Sequence, residues 1–183
     1  MRGLADALRL RRFLAELGRS AEEDGAVFLT GGATAVLIGW RDSTIDADIL
    51  IVPETEAVFR AVARLKDELQ INVEIASPAH FIPELPGWRE RSLFIGREGR
   101  LSFYHYDPYS QALAKIERGH AKDQTDVQQL VERGLVAPDR LEELFEAIAP
   151  RFHRYPAIDP AAFRRRLDDV VRTLGKRPPS DAP

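Results

Sequence analysis

The stretch that decides the fold is Ala26-Val27-Phe28-Leu29-Thr30-Gly31-Gly32, followed fourteen residues on by Asp46-Ala47-Asp48-Ile49-Leu50-Ile51-Val52. The first is a short apolar run closed by a glycine pair, which reads as a buried strand entering a turn. Thr34 to Gly39 then spans a helical turn or two, cut by Gly39 and the polar Arg41-Asp42-Ser43-Thr44. The second run is a strand ended by Pro53. On a strand, residues i and i+2 face the same way, so Asp46 and Asp48 present their carboxylates side by side. Two hard oxygen donors so placed repel each other unless a divalent cation sits between them. That layout suits magnesium held against phosphate groups, and nucleotide chemistry becomes the leading expectation.

Working outward, Leu4, Leu8, Leu10, Phe13, Leu14 and Leu17 recur at helical spacing, with Gly18 closing the pattern. Glu54 to Leu69 reads as a helix with Val58, Val62 and Leu65 on one face. Ile71-Asn72-Val73-Glu74-Ile75 is a third strand whose apolar residues share one face, leaving Asn72 and Glu74 on the other. Ser77 to Gly87 holds Pro78, Pro83 and Pro86 and is a loop. Arg91 to Ile95 and Leu101 to Tyr106 form a hairpin around Gly96-Arg97-Glu98-Gly99. Asp107-Pro108 is a helix cap followed by proline at the first helical position, and that helix runs to Gly119. Further helices cover Lys122 to Arg133 and Asp139 to Ala149. A last one opens at Asp159-Pro160, with Phe163, Leu167, Val170, Val171 and Leu174 on its apolar face. The expected fold class is α+β: an α/β core over 1–106, a helical region over 107–175 that completes the site, and a disordered tail over 176–183.

Composition narrows the function. The formal net charge of −3 argues against a polybasic nucleic-acid binder, so any RNA contact needs a local patch. With no cysteine, disulfides, zinc thiolates and thiol nucleophiles are excluded. His80, His105, His120 and His153 show no metal-ligand spacing. No segment approaches the ~18 apolar residues that a membrane span needs, and the Arg-rich start is not a secretory signal. The reading is therefore of a soluble, cytoplasmic protein without a membrane partner.

Nucleotidyl transfer needs metal ions on the triphosphate, close backbone approach to it, and positive charge for what remains. Asp46, Asp48 and Glu74 supply carboxylates. Gly31 and Gly32 lack Cβ atoms at the start of a helix, where N–H groups and the positive dipole end favour an anion. Arg41 and Thr44 flank the aspartates, and Lys115 follows further on. The aromatic run Phe103-Tyr104-His105-Tyr106 offers rings to a base, but its alternation suits a packed strand better. Arg164-Arg165-Arg166 suits an exposed amphipathic helix better than an RNA contact.

The segments Leu29-Thr30-Gly31-Gly32-Ala33-Thr34-Ala35 and Arg41-Asp42-Ser43-Thr44-Ile45-Asp46-Ala47-Asp48-Ile49, with Val73-Glu74-Ile75, resemble the signature of the polymerase-β-like nucleotidyltransferase superfamily. The Arg-x-x-Thr-x-Asp-x-Asp form is similar to its small prokaryotic branch of abortive-infection and toxin–antitoxin enzymes. Ala114-Lys115-Ile116 and Lys122-Asp123-Gln124-Thr125-Asp126 resemble the downstream lysine and aspartate helices of several members. The resemblance covers about 25–135. It implies a mixed sheet flanked by helices and followed by a helical array. It also implies two Mg2+ ions (or Mn2+) on Asp46 and Asp48, with Glu74 as third ligand or as base. Gly31, Gly32 and Thr34 would cradle the triphosphate beside Arg41 and Thr44. Lys115 would touch phosphate, and Asp126 would orient Lys115 or Arg41. Glu74 stands where many members carry aspartate, which moves that carboxylate by about one C–C bond.

The implied activity is magnesium-dependent transfer of a nucleoside monophosphate from an NTP such as ATP to a hydroxyl on RNA or protein. The implied partners are that acceptor and a cognate toxin or antitoxin, in a toxin–antitoxin or phage-defence setting, with oligomers open. The competing reading is a non-catalytic binding module on the same fold, an antitoxin or regulatory partner. Its degenerate relatives usually lose one carboxylate, and this chain retains all three.

Overall fold

The computed structural model describes residues 3–175, so the expected tail over 176–183 lies outside the described residues. The chain forms two compact units. Among the described residues, one holds those up to Ser77 together with Ser92–Tyr106; the other holds Pro78–Arg91 and those from Asp107 on. The proline-rich loop that the sequence groups with the N-terminal part thus belongs with the C-terminal helices.

The first unit is built on a five-stranded sheet with strand order β5-β4-β2-β7-β6. Its strands are β2 (Gly25–Thr30), β4 (Asp46–Val52), β5 (Asn72–Ile75), β6 (Leu93–Glu98) and β7 (Leu101–His105). β2 runs antiparallel to β4 and parallel to β7, β4 runs parallel to β5, and β6 and β7 form the expected hairpin. The class is α+β, as the sequence implies, and the sheet is mixed. The hairpin differs in detail. Its strands reach Glu98 and Leu101, so the turn is only Gly99-Arg100, and Gly99 takes the left-handed φ of +55° that such a tight turn demands. A bulge lies between Phe94 and Gly96.

One face of this sheet is the core. On β4 the odd positions Ala47, Ile49 and Ile51 are buried while the even ones are half-buried. Helix α1 (Ala7–Ser20) puts Leu10, Phe13, Leu14 and Leu17 into that core, and α3 (Glu56–Glu68) adds Val58, Ala61, Val62 and Leu65. These i, i+3, i+4, i+7 sets are the apolar stripes of amphipathic helices. Asp6 caps α1 by accepting from Arg9 N–H, and Thr55 caps α3 by accepting from Val58 N–H. A two-residue strand β1 (Ala5–Asp6) pairs with β3 (Ser43–Thr44) in a separate ribbon. It is too short to leave a periodicity in the sequence.

The second unit is helical: α4 (Trp88–Arg91), α5 (Pro108–Arg118), α6 (Ala121–Glu132), α7 (Pro138–Ile148) and α8 (Pro160–Leu174), with short 3-10 segments at 78–80 and 149–154. Asp107 caps α5 by accepting from Tyr109 and Ser110 N–H groups, and Asp159 caps α8 by accepting from Ala162 N–H. Phe145, Phe152 and Phe163 pack ring against ring at 4.9–5.5 Å between centroids. Among the described residues no helix is long and apolar enough to cross a membrane.

Candidate functional site

The strand register assembles the acidic positions. In the parallel pair, Asp46 lies beside Asn72 and Asp48 beside Glu74. On the other side Asp48 pairs with Thr30, the last residue of β2. Cross-strand partners share a face, so Asp46, Asp48, Asn72 and Glu74 all stand on the face opposite the core. The aspartates are half-buried and Glu74 is exposed. The amide Nδ2 of Asn72 donates to Asp46 Oδ1 at 2.5 Å and reaches Glu74 Oε1 at 3.4 Å.

The glycine pair sits where the sequence puts it, at the start of α2 (Gly31–Ile38), directly after β2. Its chemistry differs from a bare phosphate cradle. A Cβ on Gly31 would meet Asp48 Oδ2 at 2.9 Å, and Gly31 has a φ of +60°. A Cβ on Gly32 would overlap Thr44 Oγ1 at 2.0 Å. The missing side chains therefore make room for the protein's own Asp48 and Thr44, which draws the carboxylate against the helix start. Thr30, the N-cap of α2, makes no side-chain hydrogen bond to the first turn.

The two expected threonine contacts turn inward. Thr44 is buried, and its hydroxyl donates to the Asp46 carbonyl at 2.9 Å. Thr34 is also buried; its hydroxyl donates to the Leu29 carbonyl at 3.0 Å and lies 3.2 Å from His105 Nδ1. Both side chains brace the backbone of the site instead of lining its surface. Arg41 is half-buried in the segment after α2, where its N–H donates to the Ala35 carbonyl. His105 closes β7, and burial, helped by the nearby Arg11 charge, lowers its pKa from the ordinary 6.5 to about 4. It is therefore neutral at physiological pH.

Lys115 and Asp126 belong to the second unit. Lys115 Nζ donates to Asp126 Oδ2 at 2.6 Å and to Asp123 Oδ1 at 3.3 Å, with all three side chains buried. Arg118 closes the set with Nε and Nη2 on the two Asp123 oxygens, at 2.8 and 2.7 Å. Burial pushes the Asp123 pKa up, but the Arg118 hydrogen bonds and the Lys115 and Arg118 charges outweigh it and hold the carboxyl below the usual range. A cavity of about 280 Å³ opens beside this set, bordered by Lys115, Asp123, Gln124 and Arg166.

The family described as nucleotidyltransferase of unknown function (DUF6036) matches residues 7–159. The chain belongs to this family. None of the curated proteins and none of the solved structures matches it. The family assignment agrees with the Gly-Gly and Asp-x-Asp reading, and the match takes in both units up to the start of the last helix.

Among the described residues no three acidic or histidine side chains are gathered closely enough to hold a metal on their own. The donor chemistry nevertheless fits a hard cation: Asp46 and Asp48 are carboxylates on one strand face, and Glu74 is the cross-strand neighbour of Asp48. Sequence reasoning gave no role to Asn72 or Arg118, and it named Asp123 only within the aspartate helix of the resemblance. Asn72 did carry a signal, since it shares the polar face of β5 with Glu74.

Proposed function

We propose that the protein is a magnesium-dependent nucleotidyltransferase that moves a nucleoside monophosphate from an NTP to an acceptor hydroxyl. The observation that carries this reading is the cross-strand register, which sets Asp46, Asp48 and Glu74 on one open sheet face beside the start of α2. The family membership supports the same class of reaction. A divalent cation held by Asp46 and Asp48 would neutralise phosphate charge as a Lewis acid. Glu74, exposed on the edge strand β5, accepts the proton of the attacking hydroxyl. The new bond forms between that oxygen and the α-phosphorus, and the bond to the pyrophosphate oxygen breaks. The N–H groups at the start of α2 face the anionic end of the nucleotide.

The test is a titration of the protein with each of the four NTPs, with and without magnesium, beside Asp46→Ala. Magnesium-dependent binding that the variant loses while it stays folded is the expected outcome. Asp46 is half-buried and no backbone hydrogen bond of the sheet depends on its side chain. No binding by the wild type, or an unfolded variant, contradicts the assignment.

A further inference from the structure

On an acidic sheet face the neutral member is the informative one. Asn72 lies between two carboxylates that would otherwise be neighbours across β4 and β5. Its Nδ2 is 2.5 Å from Asp46 Oδ1 and 3.4 Å from Glu74 Oε1. Asp46 and Asn72 are register partners, so the contact is set by strand pairing and does not depend on a long, flexible reach. Asp46 is held from two directions. Thr44 fixes its backbone through the carbonyl, and Asn72 fixes its side chain through Oδ1. Oδ2 of Asp46 makes no hydrogen bond among the described residues.

We infer that Asn72 is a positioning residue for the carboxylate site. It clamps Asp46 in one rotamer through Oδ1, so that Oδ2 is presented to a divalent cation, and it separates Asp46 from Glu74. Carboxylates that ligate metals are themselves oriented by hydrogen-bond donors, and losing such a donor typically weakens metal affinity by about 10–100-fold. An amide suits this position because it donates without adding charge. An aspartate there would be nearly isosteric, yet it would place a further negative charge against Asp46 and Glu74 and donate nothing. The inference rests on the nucleotidyltransferase reading, because it takes Asp46 as a cation ligand.

The experiment measures Mn2+ binding to the full chain by calorimetry, and the thermal midpoint with and without Mn2+, for the wild type, Asn72→Ala, Asn72→Asp and Asp46→Ala. Asn72→Ala is expected to weaken Mn2+ by about tenfold or more and to show a smaller Mn2+-induced rise in midpoint. Asn72→Asp is expected to melt lower than the wild type without cation and to gain more from Mn2+ than the wild type does. A purely structural asparagine would lower the midpoint equally with and without Mn2+, and that result overturns the inference. So does wild-type affinity in Asn72→Ala when Asp46→Ala has lost binding; in that case the site reading survives. Failure of the wild type to bind Mn2+ overturns both.

Discussion

Single residues at this site carry two duties. Gly32 is glycine because the Thr44 side chain occupies the space a Cβ needs, and Thr44 in turn holds the Asp46 carbonyl. The sequence marks the glycines but not their reason, since Thr44 meets Gly32 only after the chain has turned back on itself. His105 shows the same limit: strand alternation predicts its burial, while its contact with Thr34 spans 71 positions. Its titration leads to a stability prediction. The unfolded chain takes up the proton near pH 6.5, but the folded chain does so only near 4. Between those values acid favours the unfolded state, so the contribution is complete above pH 6.5 and is lost as the pH falls toward 4. The loss amounts to about 3 kcal/mol. Urea unfolding of the wild type and His105→Gln between pH 7 and 4.5 should show the wild-type advantage shrinking with acid. A constant difference across that range would mean that His105 is not held neutral by the fold.

At the scale of elements, the helix caps, which depend on local chemistry, were legible. Asp107-Pro108 and Asp159-Pro160 cap α5 and α8 as their residue types require, and Gly119 closes α5 with a φ of +69°. What depends on two elements meeting was not. The arginine run of the last helix reads as an exposed face, yet Arg166 reaches back to cap α5 through the Ile116 and Glu117 carbonyls. Arg164 pairs with Asp168 at 2.8 Å and with Glu146 on α7. Lys115 is the most consequential case. The resemblance implies a phosphate contact, with Asp126 orienting Lys115 or Arg41; the fold buries Lys115 between α5 and α6, where it pairs with both Asp123 and Asp126. Removing one partner of such a set leaves a buried charge uncompensated and costs about 3–5 kcal/mol. Lys115→Met should therefore lower the urea midpoint strongly, and the double variant Lys115→Met/Asp126→Asn should recover part of the loss. A Lys115→Met protein that unfolds like the wild type but fails to bind NTP would instead make Lys115 a ligand contact.

For the whole molecule, the chain crosses between its two units at Ser77, at Arg91 and at Tyr106, so neither unit is a continuous segment. The last two crossings are bound together within the second unit. Arg91 donates Nε and Nη2 to the two oxygens of Asp107 at 3.1 and 2.7 Å, and Asp107 is fully buried. A boundary drawn from composition alone falls at the last of these crossings and cannot reveal the first two, because Pro78–Arg91 looks like any proline-rich loop. The family match spans both units. The most direct measurement is transfer of label from an NTP carrying a labelled α-phosphate onto total RNA or protein, with magnesium, by the wild type and by Asp48→Asn. Label fixed to a macromolecule by the wild type, with release of pyrophosphate, and none fixed by a folded Asp48→Asn is the predicted result. Equal labelling by both would contradict the assignment of the Asp46–Asp48 face as the site of transfer.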